Sequence, residues 1–238
     1  MFFNITKNYH TFLRNLGTTI LHGPFKGMKY LSRSSNSAYI PKILGIYEKE
    51  IYSVLLDFLN KSDLFINIGC AEGYYAVGSA LRYPHLNIIT YDIDKESRQF
   101  LSKLKTKNDV QNINIKKKFS DTEFSFIQNS SYQNFTYLID IEGEELNIFS
   151  KYYNHFNNSY FIIELHDKSS KKIESYLKKF FSQTHSTYSI PIKNKLISDL
   201  PIKVPLLLKI FKKRSIKKHL LSEWREYKQS FLVCKPKI

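Results

Sequence analysis

One stretch of the sequence constrains the fold more than any other, because an apolar segment, a sharp turn and an amphipathic segment follow one another without a gap. Leu64–Ile68 predicts a short buried strand, and residues 73–82 predict a helix that stops before Pro84. Gly69 and Gly73 lie at the two ends of the turn, where the backbone must change direction within a few residues. A strand that passes directly into a helix begins a β-α-β unit, which predicts a parallel sheet.

The alternation of strand and helix continues along the chain. Further apolar or alternating segments predict strands at Leu86–Tyr91, Ile113–Ile115, Phe135–Ile139, Tyr160–Leu165, Thr187–Ile190 and Phe231–Cys234. Helices are predicted between them at Lys95–Lys107, near Glu144–Tyr152 and along the apolar stripe from Ile173 to Phe181. The predicted fold class is therefore α/β, a Rossmann-like sheet of seven mostly parallel strands with helices on both faces.

Two segments extend this minimal pattern. Residues 1–60 are predicted to form an N-terminal helical extension, with amphipathic helices over residues 1–16 and Tyr39–Leu59. Residues 61–238 form the α/β domain, which carries a basic helical insert at about 193–228, before the last strand. That insert is longer than an ordinary connection and is the main departure from a minimal domain.

The turn around Gly69 is also where a ligand is expected, because open parallel sheets bind ligands at the carboxyl ends of their strands. Asp92 follows the second strand about 20 residues beyond Gly73, where a carboxylate can accept both hydroxyls of a ribose. A pyrophosphate-binding turn prefers Gly-x-Gly-x-x-Gly, whereas this turn has Glu72 between its two glycines. Glu72 is expected to repel a pyrophosphate and to tolerate a sulfonium or amino group, which favours S-adenosylmethionine. The alternative is that both glycines serve only a tight strand–helix turn.

The predicted cofactor-binding residues come from this turn and from the ends of neighbouring strands: Asn67, Gly69, Cys70, Ala71, Glu72, Gly73, Tyr75, Asp92 and Asp140. A side chain at Gly69 is expected to block a ligand lying across the backbone. Asn67 stands where sites of this kind often have an acidic residue. That difference weakens a charged contact with the cofactor without removing hydrogen bonding.

A longer resemblance then becomes visible. Residues 139–145, Ile-Asp-Ile-Glu-Gly-Glu-Glu, resemble the Asp-x-Glu-Gly-x-Glu segment of FkbM-like methyltransferases. Other segments that resemble the family follow in order: Gly45–Glu48, Asn67–Tyr75, Ile163–Asp167, Glu223–Arg225 and Phe231–Lys237. The resemblance covers roughly residues 23–192 and 222–237. It implies a class I S-adenosylmethionine-dependent O-methyltransferase with an antiparallel last strand, in a branch associated with sugars of bacterial surface glycans.

Methyl transfer to a sugar hydroxyl benefits from a group that takes the hydroxyl proton, and a positioned base contributes about 10²–10⁴-fold. His166 and Asp140 lie at the expected strand ends, and a carboxylate of Glu164 or Asp167 could orient the His166 ring. The predicted catalytic residues are therefore His166, Asp140 and Glu164. One alternative is that His166, Asp140 and Glu142 only cap the helices that follow them. A divalent metal ion bound by Asp140, Glu142 and Glu164 is a further alternative, which is not adopted.

Acceptor-binding residues are predicted from both ends of the chain and from the end of the fourth strand: Tyr47, Glu48, Glu142, Glu223 and Arg225. Tyr47 and Glu48 could close over the cofactor or the acceptor, or could serve only as ordinary packed and solvated helix residues. Arg225 could bind an acidic group of the acceptor or pair with Glu223.

The formal net charge of +15 favours an acidic partner, and it does not choose among nucleic acid, an anionic membrane and a phosphate-bearing substrate. Residues 203–218 are basic and amphipathic, so they could lie on an anionic membrane surface or form a solvated lid helix. No RNA-binding motif accompanies the basic residues, so nucleic acid is not the expected partner. Cys70 and Cys234 form no disulfide or metal motif, and no signal peptide or membrane span is recognised. The expected location is the cytoplasm, with peripheral contact at the inner face of the membrane.

The leading hypothesis from the sequence is an S-adenosylmethionine-dependent O-methyltransferase whose partner is a surface glycan or a lipid-linked saccharide. The net charge motivates one alternative, an RNA or protein methyltransferase. Asn67 motivates another, a non-catalytic membrane-docked binding module. The sequence makes no prediction of the oligomeric state.

Overall fold

The computed structural model describes most of the chain from residue 16 onward. The described residues are 16–35, 38–151, 156, 158–166, 172–201, 221–223 and 229–237. The predicted helix over residues 1–16, apart from its last residue, and the basic segment 203–218 lie outside this part. Among the described helices, none combines the length and the apolar character that a membrane crossing requires.

Seven strands form the sheet. In chain order they are β1 Leu64–Ile68, β2 Asn87–Tyr91, β3 Ile113–Lys116, β4 Phe135–Ile139, β5 Ser159–Leu165, β6 His185–Pro191 and β7 Ser230–Pro236. The strands lie in the order β3-β2-β1-β4-β5-β7-β6. Strand β7 runs antiparallel to β5 and β6, and the remaining pairs are parallel. The predicted fold class, with seven strands and an antiparallel last strand, is confirmed.

Helices cover both faces of the sheet. The described α-helices are α1 Tyr39–Leu44, α2 Tyr52–Leu59, α3 Tyr74–Arg82, α4 Lys95–Lys107, α5 Asp121–Gln128, α6 Glu145–Lys151 and α7 Lys172–Phe181. Side chains of α1–α4 share one buried core with residues 16–30, and side chains of α5–α7 share a second core. Both faces of the central strands are therefore covered, which explains why β1 and β4 are mostly apolar and are buried along their whole length.

The strand order reverses between β1 and β4, which lie next to each other at the centre of the sheet. Their connections leave the sheet on opposite sides, so a crevice opens at their carboxyl ends. Asn67 and Ile68 end β1, and Ile139 ends β4 beside Ile68. This geometry places the turn after β1 and the loop after β4 on the two walls of one crevice.

The N-terminal region differs from the prediction of one helix over Tyr39–Leu59. Gly45 ends α1 in the left-handed region at φ 70°, and a short 3₁₀ helix at Lys49–Ile51 precedes α2. A Cβ on Gly45 would lie 1.9 Å from the carbonyl oxygen of His22, so the chain breaks where another backbone segment crosses it. Residues 16–35 contain no described helix and form an isolated bridge between Thr19 and Lys29.

Helix α5 has no counterpart in the sequence prediction. Its signal was nevertheless present, because Ser120 caps the helix by accepting the N–H of Glu123. Phe124 and Ile127 are its buried residues. The helix has eight residues and only these two buried apolar positions, so its apolar pattern was too short to be recognised from periodicity.

Candidate functional site

A cavity of about 1070 Å³ lies at the carboxyl ends of the parallel strands. Thirteen of the predicted site residues line it: Tyr47, Glu48, Asn67, Gly69, Cys70, Ala71, Tyr75, Asp92, Asp140, Glu142, Glu164, His166 and Glu223. Glu72 and Gly73 do not line the cavity, and Arg225 lies outside the described residues. The structure therefore brings most of the predicted site residues to one cavity, while individual contacts differ from the expectations in several places.

The glycines of the turn after β1 are required by packing against protein. A Cβ on Gly69, at φ 78°, would lie 1.6 Å from the carbonyl oxygen of Asp140. A Cβ on Gly73, at φ 90°, would lie 2.0 Å from Leu101 Cδ1 on α4. The first obstacle to a side chain at Gly69 is therefore the backbone after β4, and the expectation that such a side chain would also block a ligand stays a prediction.

Asp92 is fixed by the backbone on both sides. Its Oδ2 accepts the N–H of Ala71 at 2.8 Å, and its Oδ1 accepts the N–H of Asp94 at 2.9 Å. Ala71 has φ 45°, which is uncommon for a residue with a side chain, so this hydrogen bond helps to hold a strained turn. Burial raises the pKa of Asp92 above its ordinary value. Each carboxylate oxygen retains a lone pair that can accept a hydroxyl group in the cavity.

Asn67 presents an unsatisfied acceptor at the wall of the cavity. Its side chain is 2% exposed, and its Nδ2 donates to the carbonyl oxygen of Leu138 at 3.4 Å. Its Oδ1 has no hydrogen-bond partner among the described residues. A buried acceptor without a partner costs about 1–3 kcal/mol, so a ligand that donates to Oδ1 would recover this free energy.

Glu72 is buried and does not line the cavity, which corrects the prediction that it contacts the cofactor directly. Its Oε1 lies 2.6 Å from Lys42 Nζ, and its Oε2 accepts the N–H of Ser35 at 3.2 Å. The hydroxyl of Tyr30 also donates to Oε1. Burial alone would raise the pKa of Glu72, but the Lys42 ammonium and these hydrogen bonds outweigh burial and lower it. The argument that Glu72 repels a pyrophosphate therefore loses its basis.

The loops after β2 and β3 contribute a part of the cavity that the sequence did not identify. Ile93, which is 74% exposed, and Phe119 provide apolar surface, and Ser120 and Asp121 provide polar atoms. Phe119 packs edge-on against Tyr91, with their ring centroids 5.2 Å apart. The sequence signal for this surface was an isoleucine directly after Asp92, where the chain has left the strand. The structure shows that this isoleucine is exposed and so offers apolar surface to a ligand.

His166 stands at the centre of a cluster of carboxylates after β4 and β5. Its Nε2 lies 3.3 Å from Asp140 Oδ1, 3.6 Å from Glu164 Oε1 and 3.7 Å from Glu142 Oε2. On the other side of the ring, Nδ1 lies 2.9 Å from Glu145 Oε1. Burial lowers the pKa of His166, but the bond to Glu145 and the nearby negative charges outweigh burial, so the pKa is raised.

The residue that orients His166 differs from the sequence expectation. Glu164 lies on the Nε2 side at a distance too long for a hydrogen bond, and Asp167 lies outside the described residues. Glu145, the first residue of α6, makes the hydrogen-bonding contact instead. In the sequence, Glu145 appeared only as part of the segment 139–145 and was given no role. It differs from its acidic neighbours in being buried, which the sequence does not show.

Three of these side chains are also spaced as metal ligands are. One ligand atom each from Asp140, Glu164 and His166 lies within 4.8 Å of the other two. Oxygen and imidazole ligands of this kind suit several divalent cations. The cluster thus has two chemical uses, namely proton transfer at Nε2 and cation binding between the three groups.

The opposite wall of the cavity combines tyrosines with buried carboxylates. The Tyr75 hydroxyl donates to Glu48 Oε2, and the backbone N–H of Glu48 donates to Glu223 Oε1 at 2.9 Å. Lys195 Nζ lies 3.1 Å from Glu223 Oε1 and 2.7 Å from Glu50 Oε2. Lys195 and Glu223, which lie on either side of the basic segment 203–218, are therefore tied to Glu48 and Glu50 next to the cavity.

No protein-family model and no curated protein sequence matches the chain. Solved structures match its fold. Precorrin-6y C5,15-methyltransferase from Geobacter metallireducens GS-15 is 9% identical, with a TM-score of 0.52 over 80% of this chain and 88% of that one. An O-methyltransferase from Bacillus cereus in complex with SAH is 11% identical, with a TM-score of 0.50 over 79% and 80%. The B. subtilis tRNA methyltransferase TrmK is 9% identical, with a TM-score of 0.51 over 79% and 66%.

These likenesses establish the fold. The chain has the seven-stranded, Rossmann-like fold of class I methyltransferases, as its strand order and antiparallel last strand require. The solved structures differ in the molecules that their names imply as acceptors, so the common element is the fold.

Proposed function

We propose that this chain is an S-adenosylmethionine-dependent methyltransferase of the FkbM-like kind, acting on a sugar hydroxyl of a bacterial surface glycan or glycolipid. The observation that carries this proposal is a single cavity that contains both Asp92, after β2, and His166, after β5. Strands β1 and β4 separate β2 from β5, so the ends of β2 and β5 lie about 14 Å apart along the sheet edge. That span suits a nucleoside-bearing cofactor at one end and an acceptor at the other.

The residues at the cofactor end fit S-adenosylmethionine. Asp92 has lone pairs for the ribose hydroxyls, and Asn67 Oδ1 is an unsatisfied acceptor suited to a protonated amino group. Ile93 and Phe119 offer apolar surface to the adenine ring. When bound, the cofactor supplies a methyl group on a sulfonium, which already carries its leaving group.

The residues at the other end would prepare the acceptor. His166 lines the cavity, and its Nε2, which lies on the side of Asp140, would take the proton of an acceptor hydroxyl as that oxygen attacks the methyl carbon. Asp140 and Glu164 would accept hydrogen bonds from neighbouring hydroxyls of the sugar and so align it. Glu48 and Tyr75, which are hydrogen-bonded to each other, would form the facing wall.

Calorimetric titration with S-adenosylmethionine and with S-adenosylhomocysteine tests the cofactor site. We expect saturable binding to the wild-type protein and at least a tenfold loss of affinity for Asp92→Ala, which corresponds to about 1.4 kcal/mol. Asp57→Asn is the matched control, because Asp57 pairs with Lys61 on the surface of α2 and does not line the cavity. Absence of binding at millimolar ligand would contradict the proposed enzyme.

RNA is the second candidate acceptor, and the net charge of +15 is the observation that favours it. An acceptor screen with labelled methyl donor separates the candidates, using monosaccharides, lipid-linked saccharides and total RNA. We expect label in a saccharide fraction. Label in RNA alone would reverse the ranking of the two acceptors.

The partner and location of the protein follow from the same proposal. A lipid-linked saccharide acceptor would bring the enzyme to the inner face of the membrane, where residues 203–218 could bind anionic lipid. That segment lies outside the described residues. Co-sedimentation with phosphatidylglycerol vesicles and with neutral phosphatidylcholine vesicles tests this contact, and equal binding to both would argue against it.

A further inference from the structure

The His166 ring is held from its buried side by a carboxylate that the proposed reaction does not consume. Glu145 is 0% exposed, and its Oε1 lies 2.9 Å from His166 Nδ1. The same oxygen accepts the backbone N–H of Gly143 at 3.2 Å, so the carboxylate is fixed to the main chain. Its second oxygen has no hydrogen-bond partner among the described residues. His166 is therefore the one described side chain to which this buried carboxylate is bonded.

We infer that Glu145 is a positioning residue, which sets the tautomer and the orientation of His166 so that Nε2 receives the acceptor proton. This inference rests on the proposed methyl transfer. A carboxylate facing Nδ1 requires a proton on Nδ1, because two acceptors would otherwise face each other across 2.9 Å. The neutral ring then has its lone pair on Nε2, the nitrogen that lies nearest Asp140 and Glu164 in the cavity.

The four carboxylates around the ring differ in what they can do. Asp140, Glu142 and Glu164 lie 3.3–3.7 Å from Nε2, and the side chains of Asp140 and Glu142 are 38% and 87% exposed. Glu145 alone, among the described residues, lies on the Nδ1 side. Because it is buried, its charge is screened little by water and acts strongly on the ring.

The proton and electron balance of the step is simple. The acceptor O–H bond breaks and its proton goes to Nε2, while the oxygen forms a bond to the methyl carbon. The carbon–sulfur bond breaks, and its electron pair stays on sulfur as the thioether of S-adenosylhomocysteine. The ring becomes an imidazolium with protons on both nitrogens, and the adjacent Glu145 carboxylate stabilises that charge.

The tautomer can be measured without any activity. In ¹⁵N NMR spectra of the wild-type protein at high pH, we expect neutral His166 to be protonated on Nδ1. In Glu145→Gln, we expect a mixture of tautomers and a lower titration midpoint for the ring, because a negative charge is lost beside it. In Glu145→Asp the charge remains, so the midpoint should return toward that of the wild type. Glu174→Gln is the control, since Glu174 lies on α7 and does not line the cavity.

Kinetics supply the second measurement. We expect Glu145→Gln to lower kcat by between about 10-fold and 10⁴-fold, the upper figure being the loss for the orienting carboxylate of a Ser-His-Asp triad. The KM for S-adenosylmethionine should stay within about threefold, since Glu145 does not line the cavity. The acidic limb of the pH profile of kcat/KM should move to lower pH in Glu145→Gln and return in part in Glu145→Asp.

Three results would overturn the inference. The first is an NMR spectrum in which neutral His166 of the wild type is protonated on Nε2. This measurement needs no variant, so it remains decisive even if Glu145→Gln fails to fold. The second is unchanged kcat and pH dependence in Glu145→Gln while the wild type methylates its acceptor. The third is stoichiometric Mn²⁺ binding that broadens the His166 signals, because Nε2 would then serve as a metal ligand. A wild type with the expected tautomer and no methyl transfer would instead count against the proposed function.

Discussion

Lys42 and Glu72 form a buried ion pair that joins the N-terminal segment to the turn after β1. Their side chains are 4% and 0% exposed, and the two charged atoms lie 2.6 Å apart. The substitution Lys42→Met removes the charge and keeps a flexible chain of similar length. It leaves the Glu72 carboxylate buried without a counter-charge, and an unpaired buried charge strongly destabilises the folded state.

The expected cost can be worked from the remaining contacts. Removing one partner of a buried ion pair costs about 3–5 kcal/mol. Glu72 keeps the hydrogen bonds from Tyr30 and Ser35, which favours the lower end, about 3 kcal/mol. Lys42 Nζ also lies 4.7 Å from the centre of the Tyr47 ring, and the loss of that cation–π contact adds about 0.5–1 kcal/mol. For a chain of this size, the sum lowers the midpoint of thermal unfolding by roughly 7–16 °C.

Urea unfolding followed by circular dichroism measures this loss. Lys61→Met is the matched control, because Lys61 pairs with Asp57 on an exposed helix surface, with side chains 49% and 42% exposed. Such an exposed pair contributes little to stability, because water and salt screen its charges. The double substitution Lys42→Met with Glu72→Gln removes both charges and should recover at least half of the lost free energy of unfolding.

Two outcomes would refute this reasoning. If Lys42→Met costs no more than Lys61→Met, the Glu72 carboxylate is not buried as described. If the loss of unfolding free energy in the double variant equals the sum of the losses in the two single variants, the two charges do not compensate each other. The coupling free energy of the pair would then be zero.

Three further predictions follow from the same region and from the site. The pKa of Glu72 is lower in the folded protein than its value of about 4.3 in the unfolded chain, so ionised Glu72 stabilises the folded state above that pH. This stability is lost as the pH falls through the pKa of the folded state. In acid titrations, the free energy of unfolding of Glu72→Gln should therefore fall less steeply than that of the wild type. Gly69→Ala places a Cβ 1.6 Å from the Asp140 carbonyl oxygen. We expect it to lower the free energy of unfolding in urea by about 2 kcal/mol or more and to weaken the binding of S-adenosylmethionine in calorimetry. Unchanged stability and binding would show that the loops after β1 and β4 are further apart. His166→Ala should lower turnover by about 10²–10⁴-fold with cofactor affinity unchanged, and equal turnover in a methyl-transfer assay would remove His166 from the mechanism.

The fold could be predicted because its signals are local. Strands β1 and β4 are short, mostly apolar segments with clear ends, and α4 was predicted with its observed bounds because its apolar positions recur at helical spacing. Asp92 was placed correctly by its position at the end of a strand. These features depend on residues within one element, which a sequence pattern records directly.

The direction of individual side chains could not be predicted in the same way. Glu72 is bonded to Lys42, 30 positions earlier on α1, and no local pattern encodes the meeting of these two residues. Glu145 differs from the adjacent Glu144 only in that the sheet and α6 bury it. Such distinctions arise from contacts between distant segments, and they decide which carboxylate binds the ring and which meets solvent.

The net charge of the chain and the charge of its cavity have opposite signs, and the difference bears on the acceptor. Carboxylates line the side of the cavity near the proposed acceptor: Glu48, Asp140, Glu142, Glu164 and Glu223. The two buried lysines beside them, Lys42 and Lys195, are bound to carboxylates. A phosphate placed 4 Å from one of these carboxylates would meet a repulsion of about 4 kcal/mol at the effective dielectric of a protein surface. The positive charge of +15 would therefore act on docking at a distance, while the carboxylates disfavour an anionic group beside His166, which suits the proposed sugar hydroxyl better than a phosphate.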